Sequence, residues 1–209
     1  MREHLPMHRY AAVALLLLAA ALAKSAGAED LSIRNCTWCH GTSAQGYTPA
    51  PRLAGQRAAY IQGQLHRFRT QARNAPLDKQ YMWAAAQNLD DRRIHALAVY
   101  FSELPPRAAK DGDPATVARG KDIYQSGLPS ENIVACVVCH GPDAQGVGGI
   151  PRLGGLDYGY LKRRLEQWNE GYSVSGAAPM PHIAGQLSSD KIDALASYLS
   201  FVRYARARN

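Results

Sequence analysis

Cys36-Thr37-Trp38-Cys39-His40 returns one hundred residues later as Cys136-Val137-Val138-Cys139-His140, and the two pentapeptides use all four cysteines of the 209-residue chain. Cys-x-x-Cys-His is the attachment signature of c-type haem. The spacing has a mechanical reason. Cysteines at i and i+3 lie on one side of a helical turn and reach the two vinyl groups of one porphyrin. The next residue then places an imidazole under the iron. Other readings compete. A Cys-x-x-Cys pair also forms a redox disulfide, but no strand-helix-strand pattern flanks either pair. Four cysteines also bind structural zinc. That leaves both histidines without a role and splits the ligands between two copies of a repeat. Two covalent haem c groups use every residue of both motifs: Cys36, Cys39, Cys136 and Cys139 as attachment points, His40 and His140 as proximal ligands.

The repeat extends well beyond the motifs. Residues 36–60 align with 136–160 without a gap, pairing His40-Gly41 with His140-Gly141, Ala44-Gln45-Gly46 with Ala144-Gln145-Gly146, and Pro51-Arg52-Leu53 with Pro151-Arg152-Leu153. Tyr60 pairs with Tyr160. Ile61, Leu65 and Phe68, matched by Leu161, Leu165 and Trp168, follow the i, i+4, i+7 spacing of one helix face. A last helix carries Ile94, Leu97, Ala98 and Phe101 in one half and Ile192, Leu195, Ala196 and Leu199 in the other. Asp90 and Ser188 stand where N-caps belong. No segment alternates with a strand period, so the fold class is all-α.

Between the halves, Leu104-Pro105-Pro106 opens a polar, proline-bearing linker. Asp113-Pro114 then reads as N-cap and N1 of a helix running to Ser126 and stopped by Gly127. If the chain is cut after Ala28, only Glu29 to Asn35 precede Cys36, and the equivalent helix is expected to be missing or reduced to a turn. The organisation expected is residues 1–28 as an export signal, 29–104 as a first domain with a shortened start, 105–113 as linker and 114–209 as a second domain. Each half is small enough for its core to be marginal alone, and a buried haem supplies apolar volume.

Six-coordinate iron needs a distal ligand in each half. Met82 is the only methionine between the first motif and the linker, Met180 the only one after the second motif, and they fall at aligned positions. A lone methionine is ordinarily core filler. Two, each single and at corresponding repeat positions, read as thioether ligands. His66, His95 and His182 have no repeat partner. Pro51 and Pro151 are candidates to present a carbonyl to the proximal imidazole. Arg52 and Arg152 are candidates to pair with propionates, and Tyr60, Tyr160, Trp83 and Trp168 to pack on porphyrin.

The start of the chain is a targeting segment. Arg2 and Arg9 precede the apolar run from Ala11 to Ala23, and Ala26-Gly27-Ala28 is a small-x-small cleavage site. The run falls short of the ~20 residues of a membrane span. A chain beginning at Glu29 holds 21 lysines and arginines against 16 carboxylates, a formal +5. No basic stripe with interleaved aromatics appears, so no nucleic-acid partner is expected. Dispersed solvated charge and a docking face for an acidic redox partner both fit.

With Cys-x-x-Cys-His-Gly, Ala-Gln-Gly, Pro-Arg-Leu-x-Gly, Tyr-x-x-x-Gln-Leu and the methionine-bearing endings in place, residues 35–201 resemble the di-haem cytochrome c4 family, tandem class I cytochrome c domains. The resemblance implies a periplasmic single-electron carrier with His40/Met82 and His140/Met180 ligation, loosely associated at most with the inner membrane. It implies a quinol-oxidising complex or dehydrogenase as donor and a terminal oxidase as acceptor. It equally allows a cytochrome subunit bound to a flavoprotein or other dehydrogenase. A di-haem peroxidase needs an open iron position, which two methionines deny.

Overall fold

The computed structural model describes residues 33–47, 49–172 and 179–203; the segment read as an export signal lies outside the described residues. Helix α1 covers 33–40 and α2 Ala58–Arg69. A π turn, Asp78–Met82, runs into the short α3, Trp83–Ala86, and α4 is Asp91–Glu103. In the second half a 3-10 turn, Pro114–Thr116, opens α5, Val117–Ser126. Then come a 3-10 turn at Pro129–Glu131, α6 Val137–His140, α7 Tyr158–Asn169, α8 Met180–Ala184 and α9 Ser189–Phe201. Among the described residues β structure is confined to isolated bridges such as Tyr47 with Ala50 and Val147 with Ile150. The all-α expectation holds.

The apolar stripes close two cores. Ile61 of α2 meets Leu97, Ala98 and Phe101 of α4 over Ala44 and Ala54. Leu161 of α7 meets Ile192, Leu195 and Leu199 of α9, and α5 adds Ile123 and Tyr124. The α5–α9 crossing is unusually close. A Cβ on Gly120 would sit 1.9 Å from the Ala194 carbonyl oxygen, so only glycine lets the two backbones approach this far. The chain entering α5 is tied to the same helix. Buried Ser200 and Ser197 accept from the backbone N–H of Gly112 and Asp113, each at 3.1 Å.

The helix starts follow the expected capping at Asp90 and Asp113 but not at Ser188. The Asp90 carboxylate accepts from the N–H of Arg93 at 2.8 Å. Asp113 accepts from Ala115 N–H at 2.9 Å, and Gly127 ends α5 at φ 68°. Ser188, expected to cap α9, makes no capping bond; its hydroxyl donates to the Asp190 carboxylate. A charged acceptor two residues away outcompetes a weak capping geometry.

Charged and polar groups stitch the two halves together. Gln56 clamps the backbone of Arg152, donating to its carbonyl at 2.9 Å and accepting from its N–H at 2.8 Å. The Arg152 guanidinium, fully buried, donates to the carbonyls of Gly55 at 3.1 Å, Ala54 at 2.9 Å and Gly154. Arg52 Nε reaches Asp157 at 3.1 Å, and Arg163 reaches the Pro49 carbonyl at 2.9 Å.

Candidate functional site

Each motif is followed by a loop closed by the same key hydrogen bonds. The N–H of Gly46 donates to His40 O at 2.8 Å, and that of Gly146 to His140 O at 2.8 Å. Ala44 and Ala144 adopt φ 54° and 50°, in the left-handed region that alanine rarely enters. Both alanines are fully buried, which leaves no space for a larger side chain. Their carbonyls accept from Leu53 and Ala54 and from Leu153 and Gly154, at 2.8–3.0 Å. The turn so closed delivers one particular carbonyl. Pro51 O accepts from His40 Nδ1 at 2.8 Å, and Pro151 O from His140 Nδ1 at 3.0 Å. These are the proline carbonyls anticipated from sequence.

That bond fixes the chemistry of the imidazoles. A carbonyl can only accept, so Nδ1 carries the proton and Nε2 keeps its lone pair for a metal. Both rings are about 95 % buried, and burial pushes their pKa below the usual histidine value against the opposing pull of the proline carbonyls. The result is a neutral, oriented donor. The cysteines suit thioether formation better than thiol exchange. All four are unpaired. Cys36 and Cys136 are pushed up to about 11, chiefly by burial, the opposite of an exchange-active thiol. Among the described residues no group of three His, Cys, Asp or Glu side chains could hold a metal ion, which removes the shared zinc site.

Met82 ends the π turn and Met180 opens α8; both are half-buried, and Met180 packs on the second core. Four residues on, Ala86 and Ala184 are buried in both copies. His95 and His182 are exposed, and His66 lies 3.0 Å from Arg69, so none of the three is drawn toward a motif. One buried donor awaits an acceptor: the indole N–H of Trp168 has no partner, whereas Trp83 in the first half donates to Arg73 O at 2.7 Å. An orphaned indole N–H beside the shell that holds Met180 fits a polar group of a prosthetic ring, and so do the paired thiols and oriented imidazoles.

The arginines take a different role from the one expected. Arg52 and Arg152 are engaged by Asp157 and by backbone carbonyls of the facing half. A buried guanidinium needs its acceptors at hand, and the seam supplies them. The sequence did hold a signal for this. The repeat breaks at Gln56-Arg57 against Leu156-Asp157, and Gln56 and Asp157 are the residues that bridge the halves. Tyr60 and Tyr160 also meet at the seam. Burial first, and then the neighbouring Tyr160, push Tyr60 up to about 12. Beside them the buried Arg73 holds Asp78 at 3.0 Å.

Two helical units, each presenting a buried imidazole and two thiols from one turn, define a tandem c-type cytochrome. The cytochrome c family model matches the chain twice, at residues 25–105 and 117–202. Cytochrome c-552 of Acidithiobacillus ferridurans is 36 % identical over 195 residues, 90 % of this chain and 84 % of the relative. The thiosulfate dehydrogenase electron acceptor of Thiomonas intermedia is 34 % identical over 96 % of this chain and 94 % of its own length. Cytochrome c4 of Pseudomonas aeruginosa is 33 % identical over 78 % and 82 %. The solved cytochrome c4 of Acidithiobacillus ferrooxidans superposes with a TM-score of 0.76 at 37 % identity, covering 80 % of this chain and 99 % of the other. Thiosulfate dehydrogenase TsdBA of Marichromatium purpuratum gives 0.69 at 35 % identity, covering 82 % of this chain and 37 % of that longer one. The chain belongs to the cytochrome c family, and within it to the tandem di-haem proteins of the cytochrome c4 type. It carries two covalent haem c groups and works as an electron carrier, not as a catalyst.

Proposed function

We propose that this chain is an exported, periplasmic di-haem carrier that takes single electrons from a dehydrogenase of the thiosulfate-oxidising type and passes them to a further redox protein. In this reading residues 1–28 are removed on export, 29–104 and 114–209 each hold one haem, and 105–113 link them. Among the described residues no helix is long and apolar enough to cross a membrane. Near-full-length similarity to the Thiomonas intermedia electron acceptor supports the choice of donor class.

The bond between each proximal imidazole and its proline carbonyl carries the assignment. Cys36 and Cys39, and Cys136 and Cys139, anchor the two rings as thioethers. His40 and His140 would offer Nε2 to the irons, and Met82 and Met180 would offer their thioether sulfurs. Each haem c supplies a one-electron couple when bound. The chain's part would be to supply each iron with neutral, soft donors, which would favour the reduced state and leave no position for substrate. The polar seam keeps the two units in one fixed relation, so electrons cross between sites of constant geometry.

A reduced spectrum and redox titration of the mature protein test this. Two haems per chain and a methionine–iron charge-transfer band are expected, and Met82→Ala and Met180→Ala each remove about half of that band. An unchanged band in Met82→Ala would sink the first-domain ligand. Thiosulfate-dependent reduction by a thiosulfate dehydrogenase checks the donor.

A further inference from the structure

Among the described residues the exposed large apolar side chains are Trp38, Tyr47, Tyr81, Val134, Val138 and Val147. Five of the six belong to a haem motif, its following loop or a methionine turn, and the sixth, Val134, lies two residues before the second motif. Exposed apolar surface confined to such places marks contact sites. The two copies are chemically unlike. Arg34, Trp38 and Tyr47 in the first domain are Val134, Val138 and Val147 in the second, at an offset of one hundred. Trp38 is 86 % exposed, between the two cysteines, and Arg34 lies one turn before it on the same face of α1. Next to Met82, Tyr81 is half exposed and Lys79 is exposed. Neither Arg34 nor Lys79 forms an ion pair among the described residues. The carboxylate nearest in sequence to Lys79, Asp78, is turned inward onto buried Arg73 at 3.0 Å. In the second domain the loop bears an exposed carboxylate, Asp143, where the first has Ser43.

We infer that the first-domain edge, Arg34, Trp38, Tyr47, Lys79 and Tyr81, is the docking surface for an acidic redox protein, and that the valine-lined edge of the second domain is not. The inference rests on the two-haem reading above and deepens it by naming the chemistry of one partner and the domain it meets. Cations around an aromatic centre steer a carboxylate-rich face and then desolvate against it. The second edge offers apolar contact without steering and repels carboxylates through Asp143.

The test uses the mature holoprotein and flavodoxin hydroquinone, an acidic one-electron donor, with photoreduced neutral flavin semiquinone as a small uncharged control. Reduction by flavodoxin is expected to slow as ionic strength rises. Arg34→Glu with Lys79→Glu should lower the rate about tenfold. Arg92→Glu with Lys121→Glu, an equal charge change on exposed α4 and α5 positions, should lower it less than about twofold. Trp38→Ser should lower the rate while leaving the salt dependence intact. Neutral flavin should reduce all variants alike. A control pair as damaging as the first pair, or a rate indifferent to salt, overturns the docking surface while normal flavin reduction leaves the two-haem reading standing. Failure of the neutral flavin to develop a reduced haem spectrum sinks the reading and the surface together.

Discussion

Helices α4 and α9 are the same element of the repeat, yet among the described residues α9 is covered along a face that α4 leaves exposed. On α9, Ala194, Ser197 and Ser200 are buried because α5 and its entering strand of chain lie on them. Their counterparts on α4 are Ala96, exposed, and Val99 and Ser102, partly exposed. The tyrosines record the same difference. Tyr198 packs on Tyr124 of α5 at 5.5 Å, whereas Tyr100 turns edge-on to its own neighbour Phe101 at 5.1 Å. Meanwhile the loops that present Pro51 and Pro151 to the two imidazoles are superposable in hydrogen bonding. The proximal-ligand cradle and the packing around it are therefore separable. The first needs a closed turn of local bonds; the second depends on whatever helix the chain has available to lay across the last one.

Four substitutions sharpen that contrast. Breaking the seam should cost most. Arg52→Gln leaves the Asp157 carboxylate in a buried place without its guanidinium, an expected loss of about 3 kcal/mol, readable in denaturant unfolding. Burial already raises the Asp157 pKa despite Arg52. An acid raised in the folded state is best tolerated protonated, so the variant's deficit should be largest at neutral pH and shrink as pH falls through the raised pKa. A deficit independent of pH would show that Asp157 finds another partner. Gly120→Val should come next. Its side chain meets the Ala194 carbonyl, so α5 must shift, at about 2–3 kcal/mol. The loss should fall on the second domain, with hydrogen exchange rising in α5 and α9 while α4 is unchanged. Exchange rising equally in α4 would mean that the two cores unfold as one. The smallest effect separates the two helix starts. Asp90→Ala should cost about 1 kcal/mol, and Ser188→Ala only a few tenths, because only Asp90 caps its helix.

Much of the site was legible because its parts are close in sequence or repeated at a fixed offset. The haem motifs and the proline carbonyls needed no tertiary information. Arg52 and Arg152 were misjudged for the opposite reason. Their acceptors, Asp157 and the Ala54 and Gly55 carbonyls, lie about a hundred residues away, and nothing local announces a contact at that range. Ser188 was misjudged because a capping position says where a hydroxyl stands, not which acceptor wins it.

By itself the sequence determined the all-α class, the two attachment sites and the loop that aims each imidazole. These follow from spacing along the chain, where covalent geometry does the selecting. Only the tertiary structure decided how the halves join, and which identical arginine meets a carboxylate and which meets carbonyls. It also decided that the exposed apolar surface gathers at the two haem edges. Those outcomes turn on burial. Whether a polar group finds its partner or an apolar one finds cover depends on what the fold brings opposite it.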